Sequence, residues 1–320
     1  MKILSLFSGI GAFEKALNRL SMPYELVNYC EIDKYASKSY SAIHNVPESL
    51  NLWDITKVDT SKIHEKIDII TYGFPCQDIS IAGKQKGLLN DNDTYTRSGL
   101  FFEALRIIKD TKPKVAIAEN VKNLTSKKFA EQFQTVLDSL EEAGYNNYWQ
   151  VLNAKDYGVP QDRKRVFIVS IRKDVDTGLF KFPEPFELKL MLKDLLETKV
   201  DEKYYLSDRF LAYCLRNNEL QKKRGNGFKF LPTDGNTIAK TLRTAAGKMD
   251  DNYIIEENSR MRKLTMLERW RLMNFDDEDF YKAQKVNSNT QLCKQAGNSI
   301  VVGVLVAIVE ELKKAIFFNQ

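Results

Sequence analysis

Apolar and polar positions alternate in two rhythms along the first 170 residues of the chain. Short, nearly continuous apolar runs, "KILSLFS", "YELVNYCEI", "KIDIITYGF" and "PKVAIAEN", read as buried strands. Between them the spacing changes to that of amphipathic helices, at residues 12–20, from Lys34, along "SGLFFEALRIIKD" and over 126–143. Two further strands, "NYWQVLNA" and "RKRVFIVSI", read as a pair. Strand and helix alternate, and the strands lack a polar face. That combination predicts an α/β fold: a mostly parallel sheet with helices on both faces. The pattern stops at "FKFPEPFEL". Residues 193–261 are basic, weakly periodic and rich in Asn, Gly, Thr and Lys, which predicts a smaller second domain with few helices. Helical spacing resumes at Leu264, and a helix over 299–317 closes the chain.

Charge sharpens this picture. The net charge is +5, and residues 199–263 hold fourteen Lys/Arg against nine Asp/Glu, so the whole excess lies in the weakly periodic segment. A polyanion would find its partner surface there, although a solvated face is equally ordinary at this density. Four cysteines without CxxC spacing and two histidines make a metal site unexpected. The longest apolar run, "SIVVGVLVAIV", is too short to span a bilayer, and no signal peptide is evident, so a cytoplasmic protein is expected.

Four stretches carry candidate chemistry. In "LSLFSGIGAFEKAL" a strand leads through Gly9 and Gly11 into a helix, which lets a backbone approach a nucleotide-like ligand. Glu14 stands where a dinucleotide fingerprint has its third glycine, which disfavours a pyrophosphate. Glu31, at the end of the next strand, suits ribose hydroxyls. A nucleoside without pyrophosphate is implied, and S-adenosylmethionine fits. "DIITYGFPCQDIS" puts Cys76 just after a strand that Gly73 and Pro75 break, and "AIAEN" puts Glu119 at another strand end. In "QDRKR", Arg163 and Arg165 are two apart, so alternation sets both on one face. Singly, each has an ordinary reading: a packed thiol, a loop carboxylate, a solvated charge run.

Their order is more specific. "LFSGIGAF", "EID", "GFPCQ", "EN" and "QDRKR", followed by "RKLTMLERWRLMNF" and "QAGNSIVVGVL", closely resemble the blocks of the DNA (cytosine-5)-methyltransferases of restriction-modification type. The resemblance covers nearly all of both halves and is weakest over 190–261. Departures are Ser5, Ala12 and Asp78, none of which removes a reacting group.

The resemblance implies an S-adenosylmethionine-dependent, Rossmann-like catalytic domain over 1–190, completed by 296–320. A mostly irregular or β target-recognition domain over 191–270 and a hinge over 271–295 would follow. It implies Cys76 as nucleophile, Glu119 as proton donor at N3 of cytosine, and Arg163 and Arg165 near O2. Phe7, Gly9, Gly11, Glu31, Ile32, Asp54, Ile55, Pro75, Leu100, Asn298, Ser299 and Ile300 would hold the cofactor. Gln77, Ser80, Thr241 and Arg243 would meet DNA, with the Lys222–Lys223–Arg224 run a further candidate. A loop over 78–98, containing Gly83 and Gly87, would close over the base. The partner is double-stranded DNA, with a companion restriction endonuclease at the same site. The chain is expected to be monomeric, without membrane or metal.

This residue set suits the chemistry. Carbon 5 of cytosine is a weak nucleophile until a thiolate adds to C6 and makes the ring an enamine. A carboxylic acid at N3 and a guanidinium at O2 stabilise the charge that this addition moves onto the ring. The target lies inside stacked DNA, so it must be flipped out. A tRNA cytosine-5 methyltransferase would share the catalytic blocks. A silent DNA-binding regulator on the same scaffold would be expected to lack Cys76 or Glu119. A nucleotide-dependent oxidoreductase is opposed by Glu14.

Overall fold

Six strands form the central sheet of the computed structural model, which describes residues 1–75, 98–225, 230–244, 252–256 and 259–317. The first half runs β1 (Lys2–Leu6), α1 (Ala12–Arg19), β2 (Glu25–Cys30), α2 (Lys34–His44), β3 (Ile69–Tyr72), α3 (Phe101–Thr111), β4 (Val115–Val121) and α4 (Ala130–Glu142). It continues with β5 (Tyr145–Asn153), β6 (Gln161–Asp162) and β7 (Lys164–Arg172). Sheet order is β2-β1-β3-β4-β7-β5. Strands β2, β1, β3 and β4 are parallel, and β7 runs antiparallel to β4. The strands expected as a pair, β5 and β7, are neighbours.

Burial explains why these runs are strands. Every residue of β3 is buried, as are the first four of β4, so neither face meets water. Helix α3 presents Phe101, Leu105 and Ile108 to a core that also holds Leu4, Ile70, Tyr72, Phe129, Val136 and Ile168. Side chains of that size each contribute roughly 1.5–3 kcal/mol on burial. Helix α2 starts at Asp33, whose carboxylate accepts from Tyr35 N, and stops at Asn45 with φ 53°.

The chain forms two compact units. One comprises Met1–Leu152, Lys164–Glu184 and Val304–Gln320; the other comprises Asn153–Arg163 and Pro185–Gly303. The second contains α5 (Asp208–Lys223), β8 (Ala239–Lys240), β9 (Tyr253–Ile255), β10 (Met261–Lys263), α6 (Met266–Arg271), α7 (Asp277–Gln284) and α8 (Asn289–Asn298). Helix α9 (Val302–Leu312) closes the chain with a π turn over Lys313–Phe317. The stretch expected as a hinge, 271–295, consists largely of α7 and most of α8 and lies wholly within the second unit. The stretch Asn289–Ile316 has the length and composition of a membrane span, but it is broken at residues 299–301, and 67% of its most apolar part is buried.

The second unit departs from expectation in one element. Helix α5 has 16 residues, in a segment read as poor in helix. Ser207 caps it through Phe210 N, while Cys214 is its one buried residue, packed with Phe230 and Tyr253. So narrow an apolar seam leaves little periodic signal.

A buried ion pair organises the same unit. Arg262 donates from Nη1 and Nη2 to the two carboxylate oxygens of Glu268, each at 2.9 Å, and from Nε to Glu256 at 2.8 Å. Glu268 also accepts from Thr265 N in a capping box at the start of α6, and from Glu197 N. Its side chain has no exposed surface. Removing one partner of such a pair leaves a buried charge uncompensated. Glu268→Ala should therefore lower stability by about 3–5 kcal/mol, read as a fall in the urea midpoint; an unchanged midpoint would contradict this role.

Candidate active site

The carboxyl ends of the parallel strands converge on one sheet edge, where open α/β sheets bind ligands. Phe7, just after β1, has φ 50°, and Ser8 N then bonds to Cys30 O at the end of β2. Gly9 and Gly11 follow at φ 57° and 79°. At Gly11 the conformation is compulsory twice over, since a Cβ there would stand 2.0 Å from the His44 ring. Gly9, by contrast, faces open space.

Glu31 is fixed by this turn. Its Oε2 accepts from Gly9 N at 2.9 Å and its Oε1 from Asp33 N at 2.7 Å. Buried Asn51 organises the neighbouring chain, accepting from Glu31 N and Trp53 N and donating to Glu31 O and Ser37 Oγ. Beside the carboxylate, Ile32 is 71% exposed and Trp53 is 42% exposed. Asp54 caps a short 3₁₀ turn, and the hydroxyl and amide of Thr56 hold its carboxyl below the usual range. A carboxylate for hydroxyl groups, a second for an amino group and exposed apolar surface can together hold a nucleoside. Ile55 is buried in the core, with partly buried Leu100 packed against it, so both support the edge from within.

Glu14 behaves differently from expectation. It is buried, and it accepts a hydrogen bond from Tyr40 Oη at 2.8 Å instead of facing a ligand. Its position therefore does not argue against phosphate.

The neighbouring strand ends hold the reactive groups. Glu119 lies on β4 opposite Phe167 of β7, and Arg165 lies opposite Val121. Glu119 and Arg165 are thus diagonal neighbours across an antiparallel pair. Arg165 Nε approaches Glu119 Oε1 at 3.0 Å, and both side chains keep some exposure, 17% and 14%. The adjacent Asn120 is buried and donates to Phe74 O at 3.1 Å, which ties the end of β4 to the segment leaving β3. Pro75 comes next and is partly buried. Cys76, Gln77, Ser80 and the loop up to Arg97 lie outside the described residues. The other three cysteines are buried, and desolvation, aided by Glu31 and Asp54, pushes the Cys30 thiol up to about 12. Cys30 is a packing residue.

The two arginines do not act alike. Arg163 precedes β7, is 3% exposed and belongs to the second unit. It donates to Leu242 O at 3.1 Å and to Gly297 O and Ser299 O, both at 2.9 Å. Gln161 adds a bond from Leu242 N to its Oε1. A Cβ on Gly297 would meet Thr244 N at 2.5 Å, so glycine is required for this approach. Arg163 therefore joins the "TLR" segment to the "GNS" segment. Thr241 donates to Asp162 O at 2.6 Å, Arg243 is exposed, and Ser299 is buried between exposed Asn298 and partly buried Ile300.

Asn51, Trp53 and Asn120 were not singled out from sequence. Only Asn120, inside the "EN" of the β4 block, carried a local signal.

Comparison with known proteins shows the family. The model of the C-5 cytosine-specific DNA methylase family matches residues 1–314. The Type II methyltransferase M2.ScrFI of Lactococcus lactis subsp. cremoris is 35% identical, over 98% of this chain and 99% of its own. M.HhaI of Haemophilus parahaemolyticus is also 35% identical, over 100% and 96%. The orphan methyltransferase M.SPRI of Bacillus phage SPR is 31% identical, over 98% and 97%. Among solved structures, the Entamoeba histolytica methyltransferase EhMeth superposes with a TM-score of 0.75 at 18% identity, covering 98% of both chains. That likeness concerns the fold. The Glu119–Arg165 edge thus sits in a protein matched along almost its whole length, and the chain belongs to the C-5 cytosine-specific DNA methylase family.

Proposed function

We propose that this enzyme transfers a methyl group from S-adenosylmethionine to carbon 5 of a flipped-out cytosine in a short, specific duplex sequence, through a covalent Cys76–C6 adduct. The observation that carries the reading is the Glu119–Arg165 pair at 3.0 Å, one residue from the Asn120 bond to Phe74 O. It sets an acid and a guanidinium beside the segment that leads directly into Cys76.

The residues divide the work by chemistry. Addition of the Cys76 thiolate to C6 sends an electron pair towards N3 and O2 and leaves C5 nucleophilic. Glu119, protonated, donates at N3, and Arg165 stabilises charge at O2. In the absence of a base these two groups satisfy each other; a bound cytosine would exchange that contact for its own polar edge. After C5 has accepted the methyl group, loss of its proton returns the electrons and expels the thiolate.

The cofactor residues fit a nucleoside sulfonium. Glu31, oriented by the amides of Gly9 and Asp33, presents a carboxylate suited to ribose hydroxyls. Ile32 and Phe7 offer apolar surface to a purine, and Asp54 offers an acceptor to its amino group. The bound cofactor supplies an electrophilic methyl; this chain supplies its orientation. Arg163 acts through the segments it joins, as a positioning residue for Thr241 and Ser299. The DNA partner suits a companion endonuclease reading the same sequence, as in restriction-modification pairs.

The direct test is incubation with unmethylated genomic DNA and S-adenosylmethionine, followed by base-resolution sequencing. One short motif carrying 5-methylcytosine throughout is expected, and methylation scattered without a motif would refute sequence specificity. Cys76→Ser should abolish transfer while cofactor binding by calorimetry persists; retained transfer would sink the nucleophile assignment. Glu119→Gln should lower kcat by about 10²–10⁴-fold with little change in cofactor Kd, and a mild effect would contradict proton donation at N3. Asn51→Ala should raise the cofactor Kd by about tenfold, because Glu31 N and Trp53 N lose a shared acceptor. An unchanged Kd would show that Asn51 does not order that edge.

A further inference from the structure

Helix α5 presents an exposed face that neither the cofactor nor the cytosine chemistry uses. Arg209, Arg216 and Lys223 recur every seven residues along it, and all three are exposed. At 100° per residue they fall within about 40° of one line, and successive cations are roughly 10 Å apart along the axis. Tyr213, 40% exposed, and Leu220, 46% exposed, lie on the same line between them. The two acids of the helix, Asp208 and Glu219, fall to one side of it. At the amino end the face borders a concavity of about 610 Å³ lined by Ser207, Arg209, Phe210, Ala212, Tyr213 and Arg216.

The electrostatics of the surroundings separate these three cations from ordinary surface charge. Three other carboxylates of this unit are engaged, Asp201 with Lys203, Glu202 with Arg260 and Glu256 with Arg262, while Asp208 and Glu219 of α5 lie beside the row without closing an ion pair to it. Among the described residues none of Arg209, Arg216 and Lys223 is held in an ion pair. A row of unneutralised cations with apolar side chains between them is stable in water but complementary to a polyanion. Duplex DNA carries one negative charge per about 1.7 Å of its axis, dense enough to meet all three cations of the row. Tyr213 and Leu220 would then lie against deoxyribose.

We propose that the Arg209–Arg216–Lys223 face of α5 is a sequence-independent contact for the sugar–phosphate backbone of duplex DNA. This rests on the reading of the chain as a DNA methyltransferase and adds to it a surface that supplies affinity without base recognition.

The test compares wild type with an Arg209→Gln/Arg216→Gln/Lys223→Gln variant in a salt titration of binding to a genomic duplex. A control variant, Lys62→Gln/Lys66→Gln/Lys109→Gln, removes the same charge from exposed positions of the first unit. Each phosphate contact contributes about 0.9 to the slope of log K against log salt, so the α5 variant should lose about 2–3 from that slope. Its affinity near 0.1 M salt should fall at least about tenfold, equally for duplexes of different sequence. The control should change the slope by less than about one. Thermal denaturation should be unchanged in both, since all six side chains are exposed. An α5 variant with the wild-type slope, or a control matching it, would overturn the proposal. So would a changed sedimentation coefficient with an unchanged slope, which would make the face a contact between copies of this chain. Binding and transfer are read separately: wild type that binds with a steep slope yet forms no 5-methylcytosine would refute the reaction and leave this surface standing.

Discussion

The reversal of β7 against β4 is the constraint on which the candidate site depends. Had β7 run parallel to β4, Arg165 near its start would lie at the opposite edge from Glu119. Because it runs antiparallel, the start of one strand meets the end of the other, and the register sets Arg165 diagonally across from Glu119. The parallel strands β1 to β4 already deliver their carboxyl ends, with Glu31 and the Gly73–Pro75 segment, to that edge. One inverted strand therefore adds a cation to an edge otherwise built of turns and carboxylates.

Polar side chains do most of the positioning, and nearly always through backbone atoms. Asn51 addresses two amides and a carbonyl, Asn120 a carbonyl, Arg163 three carbonyls and Gln161 a carbonyl and an amide. Such bonds satisfy loop groups that no sheet ladder can reach, and an unmade one inside the protein would cost about 1–3 kcal/mol. The turns can thus be irregular where a ligand needs access and still be defined.

How much of this was legible follows from the range of each signal. The strands and their loop motifs announce themselves locally, because a doubly covered sheet demands unbroken apolar runs. Glu119 and Arg165 were legible as chemistry, but their contact across β4 and β7 comes from the structure. Glu14 was misread, since its phase on α1 turns it towards Tyr40, a partner 26 positions away. The alternation argument for Arg163 failed because β7 begins only at Lys164. Helix α5 went unseen because its packed apolar residues, Phe210, Leu211 and Cys214, are confined to its first half and give almost no sustained period. Asn51 and Asn120 bond across 20 and 46 positions, a distance that no local pattern encodes.

The Arg163 clamp has a consequence for how such a protein can diversify. A guanidinium that grips carbonyl oxygens makes no demand on the side chains attached to them. Leu242 and Ser299 could be exchanged, and the segment following Leu242 rewritten, with the three bonds intact. Gly297 alone is excluded from this freedom, by its contact with the backbone of Arg243 and Thr244. The second unit therefore has a fixed socket of main-chain contacts that can persist while the side chains and segments around it are exchanged.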